Sequence, residues 1–213
     1  MDAPTSLTAM GADALSLLDW RRTIADLYAE IRATADKSAA WRVWRDTRAR
    51  LFREHPQSPV PSDERAGYTG PHLFDYDPAW CLTGSVEPVA PVRLEVATSN
   101  VETMAFTRFG VARFACAGVD LALELYWLEG YGGGLFLPFA DATSGHETYG
   151  AGRYLLDTVK GADLGQQGGH LVMDFNFAYQ PSCAYDPGWT CPLAPPANRL
   201  AVPVRAGERV AQS

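Results

Sequence analysis

Six prolines between Pro181 and Pro203 limit what the C-terminal end of this chain can become. Each lacks an N–H donor and holds φ at about −65°, so neither a helix nor an unbroken strand ladder survives there. The stretch Leu171–Val210 therefore reads as one apolar strand, a long loop and a final strand. It also packs Asp174, Asn176, Tyr179, Cys183, Cys191 and Asn198 into a short space. That density of polar groups marks where a site would be built.

Upstream, the pattern changes twice. Residues 1–12 are small and polar and read as frayed. From Asp13, the residues Leu17, Trp20, Ile24, Leu27, Tyr28 and Ile31 recur at three- and four-residue spacing, which puts them on one helical face, with Asp13 or Ser16 as the cap. A second amphipathic segment covers Ser38–Glu54. Trp41, Trp44, Leu51 and Phe52 form its apolar stripe, Arg42, Arg45 and Arg53 lie on another face, and Pro56 stops it. Residues 56–91 are rich in Pro and Gly around Tyr68, Phe74, Tyr76 and Trp80, and read as a long extended connection packed by its aromatics.

From Pro91 the period is two. Met104–Arg108, Val111–Cys116, Val119–Trp127 and Leu135–Phe139 read as strands, with reversals at Gly110, Ala117–Gly118 and Glu129–Gly134. Short strands with glycine turns and no βα alternation predict an antiparallel meander. The fold class is α+β: an antiparallel β-barrel or strongly curved sheet with two N-terminal helices. The divisions are a helical segment at 1–55, the connection at 56–91 and the β domain at 92–213, in one compact unit.

Charge narrows the function. The net charge of −7 argues against nucleic acid, whose phosphates demand a surplus of cations. Nine of the eighteen Lys and Arg residues fall in Asp13–Glu54, but seven acidic residues nearly balance them there, which favours a solvated face over an RNA- or lipid-binding one. No apolar run approaches the roughly 20 residues of a membrane span. The N-terminus lacks the basic region of a secretory signal, so the expected location is cytoplasmic.

The glycines of YGGG and GAG are hairpin turns, because no Lys-Ser/Thr follows them. There is no G-x-S-x-G around Ser144 and no H-x-x-x-H pair, so neither a nucleophile elbow nor a catalytic metal is expected. Asp141, Thr143 and Ser144 read as a side-chain-capped turn. Glu147, Tyr149 and Arg153 share a face if the segment is extended. Asp174 and Asn176 share the other face of an otherwise apolar strand. A carboxylate there needs a partner, and Arg153 is the one Lys or Arg between Arg113 and Lys160. Arg153 is therefore expected to pair with Asp174 or Glu147. That grouping serves either as a buried strut or as a site, with Asp174 or Glu147 as acid or base and Arg153 binding an anion or carbonyl. Tyr149, Asn176 and Tyr179 are the candidate ligand-binding residues. Cys183 and Cys191 bracket a tight loop. They read as an oxidisable pair, as zinc ligands with His146 or His170, or as small buried hydrophobes.

Several of these stretches recur as motifs. DFN-x-AY (Asp174–Tyr179), P-x-CAY (Pro181–Tyr185), CPL-x-PP-x-NRL (Cys191–Leu200) and AGE (Ala206–Glu208) resemble a bacterial and archaeal family known only as domain-of-unknown-function family 1684. So does PFADATSGHETYGAGRYL (Pro138–Leu155), and more weakly His55–Trp80. The resemblance spans roughly Leu51 to Arg209. It implies that the proximity of the two motif cysteines matters, and it departs at Gln180, where the family pattern carries Asn. It implies no reaction and no cofactor. The leading expectation is a small-molecule ligand bound at the mouth of the β domain, where the 141–153 and 174–198 motifs meet. The alternatives are an enzyme using Glu147, Tyr149, Arg153 and Asp174 for acid–base chemistry, and an interaction module presenting the Trp41–Arg53 helix.

Overall fold

The structure, a computed structural model, describes residues 7–211. Helix α1 (Leu7–Ala33) starts inside the stretch expected to fray, while residues 1–6 lie outside the described residues. Asp13 and Ser16 are thus interior to α1, and the Ser16 hydroxyl donates to the Asp13 carbonyl at 2.8 Å instead of capping. Ile24, Leu27, Tyr28 and Ile31 are buried, while Leu17, too near the start of the face, stays exposed. Helix α2 (Lys37–Glu54) is capped by Asp36, whose carboxylate accepts from the Ala39 amide at 3.0 Å. Lys37 Nζ donates to the carbonyls of Ile31 at 3.3 Å and Thr34 at 2.9 Å, closing the C-terminal end of α1. Trp41 and Trp44 are core residues. Trp44 meets Phe177 edge-on at 5.6 Å and Trp41 tilts against Tyr76 at 6.0 Å. Among the described residues, no helix is long and apolar enough to cross a membrane.

Seven strands follow: β1 (Cys81–Ala97), β2 (Thr103–Cys116), β3 (Val119–Leu128), β4 (Gly134–Phe139), β5 (Arg153–Asp157), β6 (Gln166–Gln167) and β7 (His170–Asp174). Their order is β5-β4-β3-β2-β1-β7-β6, and every pair is antiparallel. The sheet is open, which corrects the expected barrel. β6 has two residues and β7 five, so the β6–β7 edge carries too little ladder to close on β5. One bridge, Tyr154 to Tyr179, ties the β5 edge to the chain beyond β7. Ring contacts continue across it, from Phe106 to Phe136 to Tyr154 to Tyr179, with centroids 4.8–5.8 Å apart.

Local departures from the sequence pattern have physical causes. Strand β1 begins at Cys81, inside the stretch read as connection, because Cys81–Gly84 pairs with β7. Gly110 does not reverse the chain. It sits at a register shift within β2, where an added β-carbon would come 3.3 Å from the Glu87 carbonyl. Strand β7 ends at Asp174, whose carboxylate caps the 3-10 turn Phe175–Phe177, so Asn176 is not on a strand face. The final strand is absent. Residues 201–211 form a strap joined by one isolated bridge, Leu73 to Glu208.

Candidate functional site

Arg153 leaves β5 into a sealed environment. Its Nη2 lies 2.8 Å from Asp141 Oδ2 and 2.8 Å from the Val204 carbonyl, and Nη1 donates to the carbonyls of Ala206 and Glu208. Phe139 lies under the guanidinium at 5.0 Å. The expected partners, Asp174 and Glu147, are replaced by Asp141. The turn around Asp141 uses Oδ1, which accepts from the Thr143 amide and hydroxyl and from the Val204 amide. Oδ2 is left for Arg153. Burial pulls the Arg153 pKa below its ordinary range, with Asp141 opposing. Glu147 instead pairs at the surface with Arg205 at 2.8 Å, which lowers its pKa. Glu147, Arg153 and Asp174 therefore do not share one acid–base constellation.

Asn176 serves the backbone. Its Oδ1 accepts from the Asp77 amide at 2.9 Å, and Nδ2 donates to the Asp77 carbonyl at 2.9 Å and to Asp174 Oδ1 at 2.8 Å. Both amide protons are spent, so the side chain pins the Asp77 loop to the end of β7. Asn198 does the same between Glu124 and Pro138.

Asp174 is different. Its residue is 1% exposed, Oδ1 is occupied by Asn176, and Oδ2 has no hydrogen-bond partner among the described residues. It lines an open-sided cavity of about 540 Å³ between the α1–α2 turn and the β1–β7 pair, with Arg32, Lys37, Cys81, Leu164, Val172 and Phe177. Cys81 is the cross-strand partner of Asp174. Although the residue is exposed, partial desolvation of its sulfur and the neighbouring Asp174 push the thiol up to about 11, and Tyr76 stands beside it. Burial also raises the Asp174 pKa, against hydrogen bonding from Asn176 and the Cys81 thiol and the more distant charge of Lys37.

Tyr179 belongs to another cluster. Its ring lies 4.9 Å from the Arg48 guanidinium, which Trp44 and Phe52 also face. Arg48 donates to Glu208 Oε1 at 2.8 and 2.6 Å. Oε2 accepts from the Gln180 amide at 2.7 Å and the Tyr185 hydroxyl at 2.9 Å. Burial works against the charge on Arg48, and Glu208 together with Tyr185 and Tyr28 outweighs it, holding the guanidinium above its usual range. The neighbouring cavity, lined by Tyr28, Arg48, Tyr154, Lys160 and Tyr179, holds only about 70 Å³. Tyr149 donates to Cys183 Sγ at 3.7 Å, and the Cys183 amide donates to Cys191 Sγ at 3.4 Å. Among the described residues, no three His, Cys, Asp or Glu side chains cluster to hold a metal ion.

Sequence reasoning missed Arg48, Glu208, Lys37 and Cys81. Arg48 carried a signal: it lies four residues after Trp44 and four before Phe52, on the apolar stripe, where a cation survives only when paired. Cys81 carried none, because its place opposite Asp174 depends on the register between distant strands.

Fold and site define an α+β protein in which a helical hairpin lies beside an open antiparallel sheet, with a cavity at the hairpin's turn. The chain belongs to the DUF1684 family of proteins of unknown function, whose family model matches residues 66–209. It is similar to an uncharacterised protein of Haloarcula marismortui solved by solution NMR, with 33% identity, a TM-score of 0.61, and coverage of 84% of this chain and 97% of that one. No curated protein matches it.

Proposed function

We propose that this protein binds a small polar molecule in the cavity between the α1–α2 turn and the β1–β7 pair, with Asp174 as its anchor. The observation that carries this reading is that Asp174, a residue of the cavity lining, keeps a buried Oδ2 without a hydrogen-bond partner among the described residues. A carboxylate oxygen removed from water without a partner costs free energy that a ligand donor recovers. The volume, about 540 Å³, falls in the range of small-molecule sites, roughly 300–1,000 Å³. Lys37 spends two of its three N–H donors on the carbonyls of Ile31 and Thr34 and has one left for an acceptor. The ligand class is therefore a compound with a hydroxyl or amine for Asp174 and a carbonyl or acidic group for Lys37.

Native mass spectrometry of the wild-type protein and Asp174→Asn tests this, followed by thermal-shift titration with small hydroxy and amino acids. An adduct or saturable shift present in the wild type and lost in Asp174→Asn is expected. A bare wild-type protein that responds to none of these compounds at millimolar concentration contradicts the reading.

A further inference from the structure

Cys183 and Cys191 lie away from the Asp174 cavity and close the loop Ala184–Thr190 at its two ends. Cys183 sits in the 3-10 turn Ser182–Ala184, whereas Cys191 is held by backbone and hydroxyl contacts to Ser99. Its amide donates to Ser99 Oγ at 3.1 Å, and its carbonyl accepts from the Ser99 amide at 2.8 Å. Both side chains are free thiols, buried to 7% and 2% exposure. The two sulfurs are not equivalent. Cys183 Sγ receives the Tyr149 hydroxyl at 3.7 Å, while Cys191 Sγ receives the Cys183 amide at 3.4 Å. Simple packing of two small apolar groups needs neither donor.

We infer that Cys183 and Cys191 form a peroxide-reactive dithiol in which Cys183 attacks, Tyr149 supports its sulfur by hydrogen bonding and Cys191 resolves. The Cys183 thiolate attacks one oxygen of a small hydroperoxide. The S–O bond forms as the O–O bond breaks, and the leaving oxygen takes a proton and departs as water or alcohol. The Cys191 sulfur then attacks the Cys183 sulfenic acid. The S–S bond forms, and the hydroxyl leaves as water with the Cys191 proton. Two thiols have lost two electrons and the hydroperoxide has gained them. The electrostatics run in the same direction. The Cys191 thiol beside Cys183 outweighs burial and lowers the Cys183 pKa, while the same neighbour raises that of Cys191. A thiolate on Cys183 and a proton on Cys191 is the arrangement this sequence of steps requires.

The test exposes the full chain to hydrogen peroxide, quenches with an alkylating reagent and maps each cysteine by peptide mass. Cys81 is an internal reference, being exposed but with its thiol pushed up to about 11. Cys183 is expected to oxidise faster than Cys81 despite its burial, giving a Cys183–Cys191 disulfide that dithiothreitol reverses. Cys191→Ser should stop at a Cys183 sulfenic acid trapped by dimedone. Tyr149→Phe should slow Cys183 oxidation by about tenfold, the effect of losing one hydrogen bond to a charged sulfur. The inference is overturned if Cys81 oxidises first while Cys183 and Cys191 stay reduced, or if Tyr149→Phe leaves the Cys183 rate unchanged.

Discussion

Arg153 and Asp141 meet as an ion pair with side chains 1% and 0% exposed, Nη2 and Oδ2 being 2.8 Å apart. The remaining guanidinium donors, apart from an unpartnered Nε, hold the carbonyls of the C-terminal strap. The pair thus joins three parts of the chain: the β5 strand, the 141–148 turn and residues 204–208. Arg153→Ala leaves the buried Oδ2 of Asp141 and the carbonyls of Val204, Ala206 and Glu208 without the donors they have now. It should destabilise the protein by about 3–5 kcal/mol, the cost of breaking a buried pair from one side. Urea unfolding at pH 7 measures this, and a loss below about 1 kcal/mol would mean that water takes over the role of the guanidinium.

Legibility followed the range of the interaction. The helices and the β2–β4 meander were readable because their periods are local, and the stripe Trp41, Trp44, Leu51 and Phe52 is buried as the spacing requires. The partner of Arg153 was not readable. Asp141 spells a turn, and the turn occupies one oxygen; nothing local reveals where the second one points. Parity failed at Asn176 for a related reason. The Asp174 carboxylate accepts from the Asn176 amide at 3.0 Å and ends the strand, so alternation no longer assigns faces beyond it. The open sheet was hidden by length: an apolar run from Leu171 to Phe177 looks like a full strand, yet only its first four residues, Leu171–Asp174, lie in β7.

The Arg48–Glu208 pair gives a second prediction. Glu208 is fully buried, and its side-chain hydrogen bonds join the strap to α2 and to the Gln180–Tyr185 segment. Glu208→Gln strands the Arg48 charge among Trp44, Phe52 and Tyr179, and should cost about 3–5 kcal/mol. The double variant Arg48→Met, Glu208→Gln removes both charges and should recover a large part of that loss, because an apolar replacement of a buried pair is often neutral. Chemical denaturation of the two single variants and the double variant measures the coupling. Additive losses would show that the two side chains stabilise the fold independently.

Asp174 makes the opposite prediction, that a substitution stabilises. Its Oδ2 is buried without a partner, and burial raises its pKa above the ordinary carboxylate value of about 3.9. Between that value and the raised one, the folded state binds more protons than the unfolded state. Stability from this group is therefore greatest at low pH and falls as pH rises through the folded pKa. Asp174→Asn keeps an oxygen for the Asn176 amides and removes the charge. At pH 7 it should raise stability by about 1–2 kcal/mol, on the scale of one relieved buried polar group. The gain should shrink as pH falls toward 4, because the wild-type carboxyl then becomes neutral too. Asp157, another buried carboxyl with a raised pKa, is common to both proteins and cancels in the difference. Thermal unfolding of the two proteins from pH 4 to pH 8 measures that difference directly. A variant less stable at pH 7 would mean that the Asp174 charge is satisfied within the fold, and the cavity would lose the anchor on which ligand binding rests.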